Sequence, residues 1–125
     1  MSESYDPKGV KHFYAGPQVT AAAALTAAGT TIADALQLTA RFNQVGTAAA
    51  STGVKLPDAE IGEVVVVQNL GANNLEVYPH SASGVLNAAS AGGAITLAAA
   101  TDDILTCYRV SSTNWMCELS AGPAT

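Results

Sequence analysis

Apolar and polar positions alternate cleanly from Ala35 to Phe42, which places Leu36, Leu38, Ala40 and Phe42 on one side of an extended chain. That period of two predicts a half-buried strand. Between Gly62 and Asn69 the pattern changes to four consecutive valines, Val64 to Val67. Their β-branching suits a pleated surface, and their continuity predicts a central strand buried on both faces. Gly71-Ala72-Asn73-Asn74 follows, a run that tolerates positive φ, so the chain is expected to fold back as a hairpin into Leu75–Tyr78. Pro79, with no amide hydrogen to donate, ends that ladder.

Shorter strands are predicted at Val85-Leu86 and Ile95–Leu97, and a second hairpin joins Ile104–Val110 to Trp115–Leu119 across Ser111–Asn114. Val19–Gly29 is ambiguous, because its alanines favour helix while Thr20, Thr26 and Gly29 interrupt one; a short helix and an irregular strand both fit. Short strands between turn signals about every ten residues predict an all-β fold, a small β-sandwich or barrel, jelly-roll-like, over residues 21–120. Residues 121–125 form a tail.

Residues 1–20 show neither period. They hold Pro7, Gly9, Gly16 and Pro17 and read as an extended N-terminal arm, with a frayed terminus as the plainer alternative. Tyr5, Phe13 and Tyr14 are the candidate residues for anchoring such an arm on a partner.

The 125 residues fit a single domain. Hydrophobic residues make up 49% but charged ones only 12%, so the surface carries little charge for a freestanding enzyme. Net charge is −5 and the five basic residues, Lys8, Lys11, Arg41, Lys55 and Arg109, are scattered, which argues against nucleic-acid phosphates as a partner. No apolar run is long enough to span a membrane, and the first residues lack the order of a signal peptide, so a soluble, cytoplasm-made chain is expected. Cys107 and Cys117 fall nearly opposite one another in the second hairpin and are expected as free thiols.

Candidate chemistry is sparse. His12 and His80 are the only imidazoles, no Gly-x-Ser-x-Gly elbow is present, and His80 reads as an exposed turn residue. The cysteines and histidines make neither CxxC nor HxxxH spacing, Asp102-Asp103 reads as a turn, and Glu60 with Glu63 reads as a solvated loop. Gly92-Gly93 lacks the Lys-Ser/Thr of a phosphate loop, and Trp115 reads as core rather than as a stacking platform. No catalytic, metal or cofactor-binding residue is assigned, and the chain is not expected to be an enzyme.

The order Gly53-Val54-Lys55-Leu56-Pro57, a valine strand into Asn69-Leu70-Gly71, Val77-Tyr78-Pro79, a small-residue loop with Leu86-Asn87, and a late Trp115 resembles small β-rich virion proteins of tailed bacteriophages. The similarity covers about residues 20–119 and looks closest to head decoration, or cement, proteins. It implies a structural protein on the outer capsid surface that stabilises the head by bridging subunits of the major capsid protein. It also implies a homo-oligomer, with a trimer favoured. The alternative is a tail fibre or spike module that binds an adaptor, receptor or carbohydrate.

Overall fold

The computed structural model describes residues 3–5, 11–13, 20–87, 89–99 and 103–120. All regular structure among them is β. Two short strands, β1 (Glu3–Tyr5) and β2 (Lys11–Phe13), pair antiparallel with one another. The body follows with β3 (Ala21–Thr26), β4 (Leu36–Gln37), β5 (Phe42–Thr47), β6 (Gly53–Lys55), β7 (Val64–Asn69), β8 (Leu75–Tyr78), β9 (Val85–Leu86), β10 (Ile95–Leu97), β11 (Ile104–Arg109) and β12 (Asn114–Ser120).

These ten strands form two mixed sheets, a six-stranded one in the order β3-β5-β7-β11-β12-β9 and a four-stranded one in the order β10-β8-β6-β4. The arrangement is consistent with a small β-sandwich. From β3 to β8 the chain changes sheet at every step, so strands two apart in sequence become parallel neighbours. Ala21, Phe42 and Val66 lie side by side in one sheet, and Leu36, Val54 and Val77 in the other. The second half closes the sheets with antiparallel partners, β10 on β8 and β11 on β7, and the β11–β12 hairpin expected from sequence is present.

One apolar cluster serves both sheets. Val45, Val65, Val67, Leu105 and Trp115 come from the six-stranded sheet, and Val54, Leu75, Val77 and Leu97 from the other. Each fully buried aliphatic stabilises the fold by about 1.5–3 kcal/mol relative to exposure. β6 and β8 approach closely because Gly53 has no side chain; a Cβ there would lie 2.7 Å from the Glu76 carbonyl oxygen and 2.7 Å from the Tyr78 ring.

Alternation across this chain is interrupted where it changes sheet, and three sequence expectations are corrected there. Leu36–Phe42 is not one strand. Leu36 and Gln37 pair with Val54 and Lys55, after which buried Leu38 and Ala40 carry the chain across to β5. The side-chain parity slips at this crossing: Phe42 is 47% exposed, while Asn43 and Val45 point inward. Arg41, at the crossing, forms a two-point ion pair with Glu63, Nη2 to Oε1 at 2.8 Å and Nε to Oε2 at 3.1 Å.

The valine strand β7 is central, between β5 and β11, but it is buried on one face only: Val65 and Val67 face the core, whereas Val64 is exposed and Val66 half-buried. Nor do β7 and β8 form a hairpin, since they lie in different sheets. The link between them is a corner built on buried Asn69. Its Nδ2 donates to the carbonyls of Asn73 and Leu97, both at 3.0 Å, and its Oδ1 accepts from the Gly71 amide at 2.9 Å. The stretch left open between helix and strand is β3, an irregular strand with register shifts after Ala22 and after Leu25 and a left-handed Ala24 at φ 56.

Asn69→Ala removes the side chain that satisfies several main-chain groups at this corner. A loss of about 2–4 kcal/mol is expected, measured as a lower urea midpoint with an unchanged slope.

Candidate docking surface

The core takes one face of the six-stranded sheet, and among the described residues no further layer covers the other. Register places its outward residues in three rows. Ala21, Phe42, Val66, Thr106 and Glu118 form the first, Val64, Tyr108 and Met116 the second, and Gln44, Gln68, Ile104 and Ser120 the third. Met116 is 55% exposed and Val64 38%. These rows carry one carboxylate, Glu118. Gln44 and Gln68 hydrogen-bond to each other at 3.0 Å, which holds two of the polar side chains flat against the sheet.

A shallow groove of about 290 Å³ crosses this face, lined by Ala21, Ala22, Phe42, Gln44, Val66 and Ile104 among others. The small alanines of β3 make it, because their methyl groups leave space beside the Phe42 ring. β3 is also the edge of the sheet, with β5 as its one strand neighbour. Its bulged register interrupts the row of main-chain donors and acceptors an incoming strand would need, a common way of blunting an edge. The face thus presents side chains rather than an open row of main-chain groups. Its apolar centre and polar margin match the anatomy of an interface.

Of the anchor residues expected from sequence, Tyr5 lies in β1 opposite Lys11, and Phe13 lies in β2 opposite Glu3. Tyr14 lies outside the described residues. Phe42 and Val64 were expected from sequence on buried faces and are exposed, and Met116 was not singled out. The available signal was an apolar residue interleaved between two inward ones, as in Trp115-Met116-Cys117, where strict alternation would have placed a polar residue.

A second constellation unites residues from three parts of the chain. Arg109 is 6% exposed, with Nε donating to the Ser111 carbonyl at 2.6 Å and Nη1 to the Ala59 carbonyl at 2.7 Å and Asp58 Oδ1 at 3.0 Å. Its guanidinium carbon stands 5.3 Å from the centre of the Trp115 ring. Trp115 donates its indole N–H to His80 Nδ1 at 3.0 Å. His80 is therefore a half-buried partner of the core tryptophan and not an exposed turn residue. Its position follows from Pro79 and Gly84, which bend the chain back after β8 so that the imidazole reaches β12. Trp115 is core, as expected from sequence.

Four of the Arg109 N–H contacts go to oxygens, those of Ser111, Asp58, Ala59 and Ser112, and Nη2 also stands 3.2 Å from His80 Nε2, so this cluster clamps the β11–β12 turn to the Asp58–Ala59 loop. Glu63 likewise serves Arg41 and accepts from the Glu60 amide at 2.6 Å. Asp103 is buried and accepts from the Ala98 amide at 3.0 Å; Asp102 lies outside the described residues. Among the described residues, no three His, Cys, Asp or Glu side chains are grouped to hold a metal ion. No family model, curated protein or solved structure matches this chain.

Burial, and then the neighbouring Arg109 charge, hold the His80 imidazole below its ordinary value of 6.5. Protonating Nδ1 would break the Trp115 bond. The unfolded chain binds the proton more readily, so this contribution is full above about pH 6.5 and is lost as pH falls towards the folded-state value. Thermal unfolding between about pH 7.5 and 5 should show that decline, and His80→Gln, which does not titrate, should flatten this part of the profile.

Proposed function

We propose that this protein is a virion structural protein of a tailed bacteriophage, a decoration protein that docks on the outer surface of the head and bridges subunits of the major capsid protein. The observation that carries this reading is the uncovered, largely apolar face of the six-stranded sheet, with Phe42, Val64 and Met116 exposed in register-neighbouring rows. The motif order from Gly53 through Trp115, which resembles phage virion proteins, supports it independently.

A decoration protein must meet a broad, gently curved shell with modest contacts repeated many times, and the collective effect of those contacts resists expansion of the shell. A sheet face suits that geometry better than a deep pocket does. In this reading the face supplies the area, and the N-terminal segment, with Tyr5, Phe13 and Tyr14, reaches a capsid edge or a neighbouring copy by strand addition. The working form is a homo-oligomer, a trimer by preference, on the outer capsid.

A second reading, a carbohydrate- or receptor-binding module of a tail fibre or spike, draws on a different feature. A polar cleft of about 380 Å³ lies at one end of the body between Ser51, Asn73, Asn74 and Glu76. Its hydroxyl, amides and carboxylate are of the kind that bind sugar hydroxyls.

Met116→Glu places a charge at an exposed position on the sheet face, in the row shared with Val64 and Tyr108. It is expected to leave thermal unfolding nearly unchanged and to lower occupancy on purified heads lacking the protein by about tenfold or more. Deleting residues 1–16 should also weaken occupancy without unfolding the body. Wild-type occupancy by Met116→Glu would remove the sheet face from the mechanism. Electron microscopy that places the protein inside the shell or at the tail tip would overturn the decoration reading.

A further inference from the structure

Cys107 on β11 and Cys117 on β12 are direct partners across an antiparallel ladder. The kind of pairing matters, because antiparallel partners alternate between hydrogen-bonded and non-hydrogen-bonded sites. The Val110 amide donates to the Asn114 carbonyl at 3.0 Å, which makes that pair hydrogen-bonded. Counting back along the ladder, Arg109 and Trp115 are non-bonded, Tyr108 and Met116 bonded, and Cys107 and Cys117 non-bonded.

Asn87 supports the same assignment from the other side. Its Oδ1 accepts from the Cys117 amide at 2.7 Å and its Nδ2 donates to the Cys117 carbonyl at 2.8 Å, so both main-chain groups of Cys117 turn away from β11. At a non-bonded site the Cα atoms approach to about 4.5 Å, inside the range a disulfide spans. Both side chains face the core, with Cys107 fully buried and Cys117 9% exposed. Both are free thiols.

We propose that Cys107 and Cys117 are a latent cross-strand disulfide, closed in the folded protein by hydrogen peroxide or a similar small peroxide. The order of events follows from the two environments. A hydrogen bond between the two thiols, together with burial, holds Cys107 above the ordinary thiol value, and the same bond holds Cys117 below it. Cys117 is also the less buried of the two. The Cys117 sulfur attacks one peroxide oxygen; the S–O bond forms, the O–O bond breaks, and the departing hydroxide leaves as water with the thiol proton. Cys107 then attacks the Cys117 sulfenic acid. The S–S bond forms, the S–O bond breaks, and a second water carries away the Cys107 proton. Two thiols lose two electrons, and one peroxide becomes two waters.

Closure ties β12 to β11 beside the two-residue strand β9, its other neighbour in the sheet. The chain made in a reducing cytoplasm would fold with both thiols free and gain the staple only on meeting an oxidant. This holds whatever surface the sheet docks against.

The test treats the folded full-length chain with hydrogen peroxide, then unfolds it in guanidinium with a maleimide and digests it without reductant. Trypsin cuts after Arg109, between the two cysteines, so the disulfide links residues 56–109 to residues 110–125. Expected are that linked pair, no maleimide on either cysteine, a monomer on a non-reducing gel, reversal by dithiothreitol, and a Tm higher by roughly 5 °C or more. Cys107→Ala, or Cys107→Ser if the alanine variant folds poorly, should stop at a Cys117 sulfenic acid that dimedone traps. Full maleimide labelling of both cysteines after peroxide, or linkage only between chains, overturns the proposal. Dimedone trapping on Cys107 in Cys117→Ala, with none on Cys117 in the reciprocal variant, overturns the order of steps.

Discussion

Neither sheet of this protein can bury an apolar face alone, so each exists only because the other covers it. That mutual dependence governs the rest of the molecule. Strands of two to seven residues contribute one to three inward side chains each, too few for any local pair to be stable in water. The chain meets this limit by crossing the apolar seam at nearly every link between β3 and β11. Every crossing brings a new strand to one sheet while its predecessor and successor extend the other.

The crossings themselves need polar groups inside the protein, and the buried polar residues are found there. Asn69 satisfies the main chain where β7 leaves for β8, and Arg41 with Glu63 secures the entry to β5. Arg109 ties the final hairpin to the loop after β6, with Trp115 and His80 packed beside it. Asn69 and Arg109 satisfy backbone that left its ladder, while Glu63 pairs with Arg41 and His80 accepts from Trp115. Among the described residues, the outside of the larger sheet meets no second layer.

Strand positions were largely legible in the sequence. The valine run, Val85-Leu86, Ile95–Leu97 and the hairpin with opposed cysteines are where β-branched density and turn residues place them, because those signals act within a few residues. Partner choice was not legible. Gly71-Ala72-Asn73-Asn74 has the composition of a hairpin turn and makes a corner between sheets, since positive-φ tolerance bends a chain without saying which neighbour it bends towards. Alternation across Leu36–Phe42 suggested one strand, but the parity slips where the chain crosses, and only that slip turns Phe42 outward. The outward apolar face was missed for the same reason: whether an interleaved valine or methionine is covered depends on whether a third layer exists.

The sequence by itself determined that this is an all-β protein of short strands, with its turns, its core tryptophan and its paired cysteines. Those are consequences of residue size, branching and spacing, which operate locally. Tertiary structure alone decided that consecutive strands enter opposite sheets, that His80 meets Trp115, and that one apolar face stays open. Those outcomes join residues dozens of positions apart and follow from sharing one core between two sheets, a condition that no local stretch of chain contains.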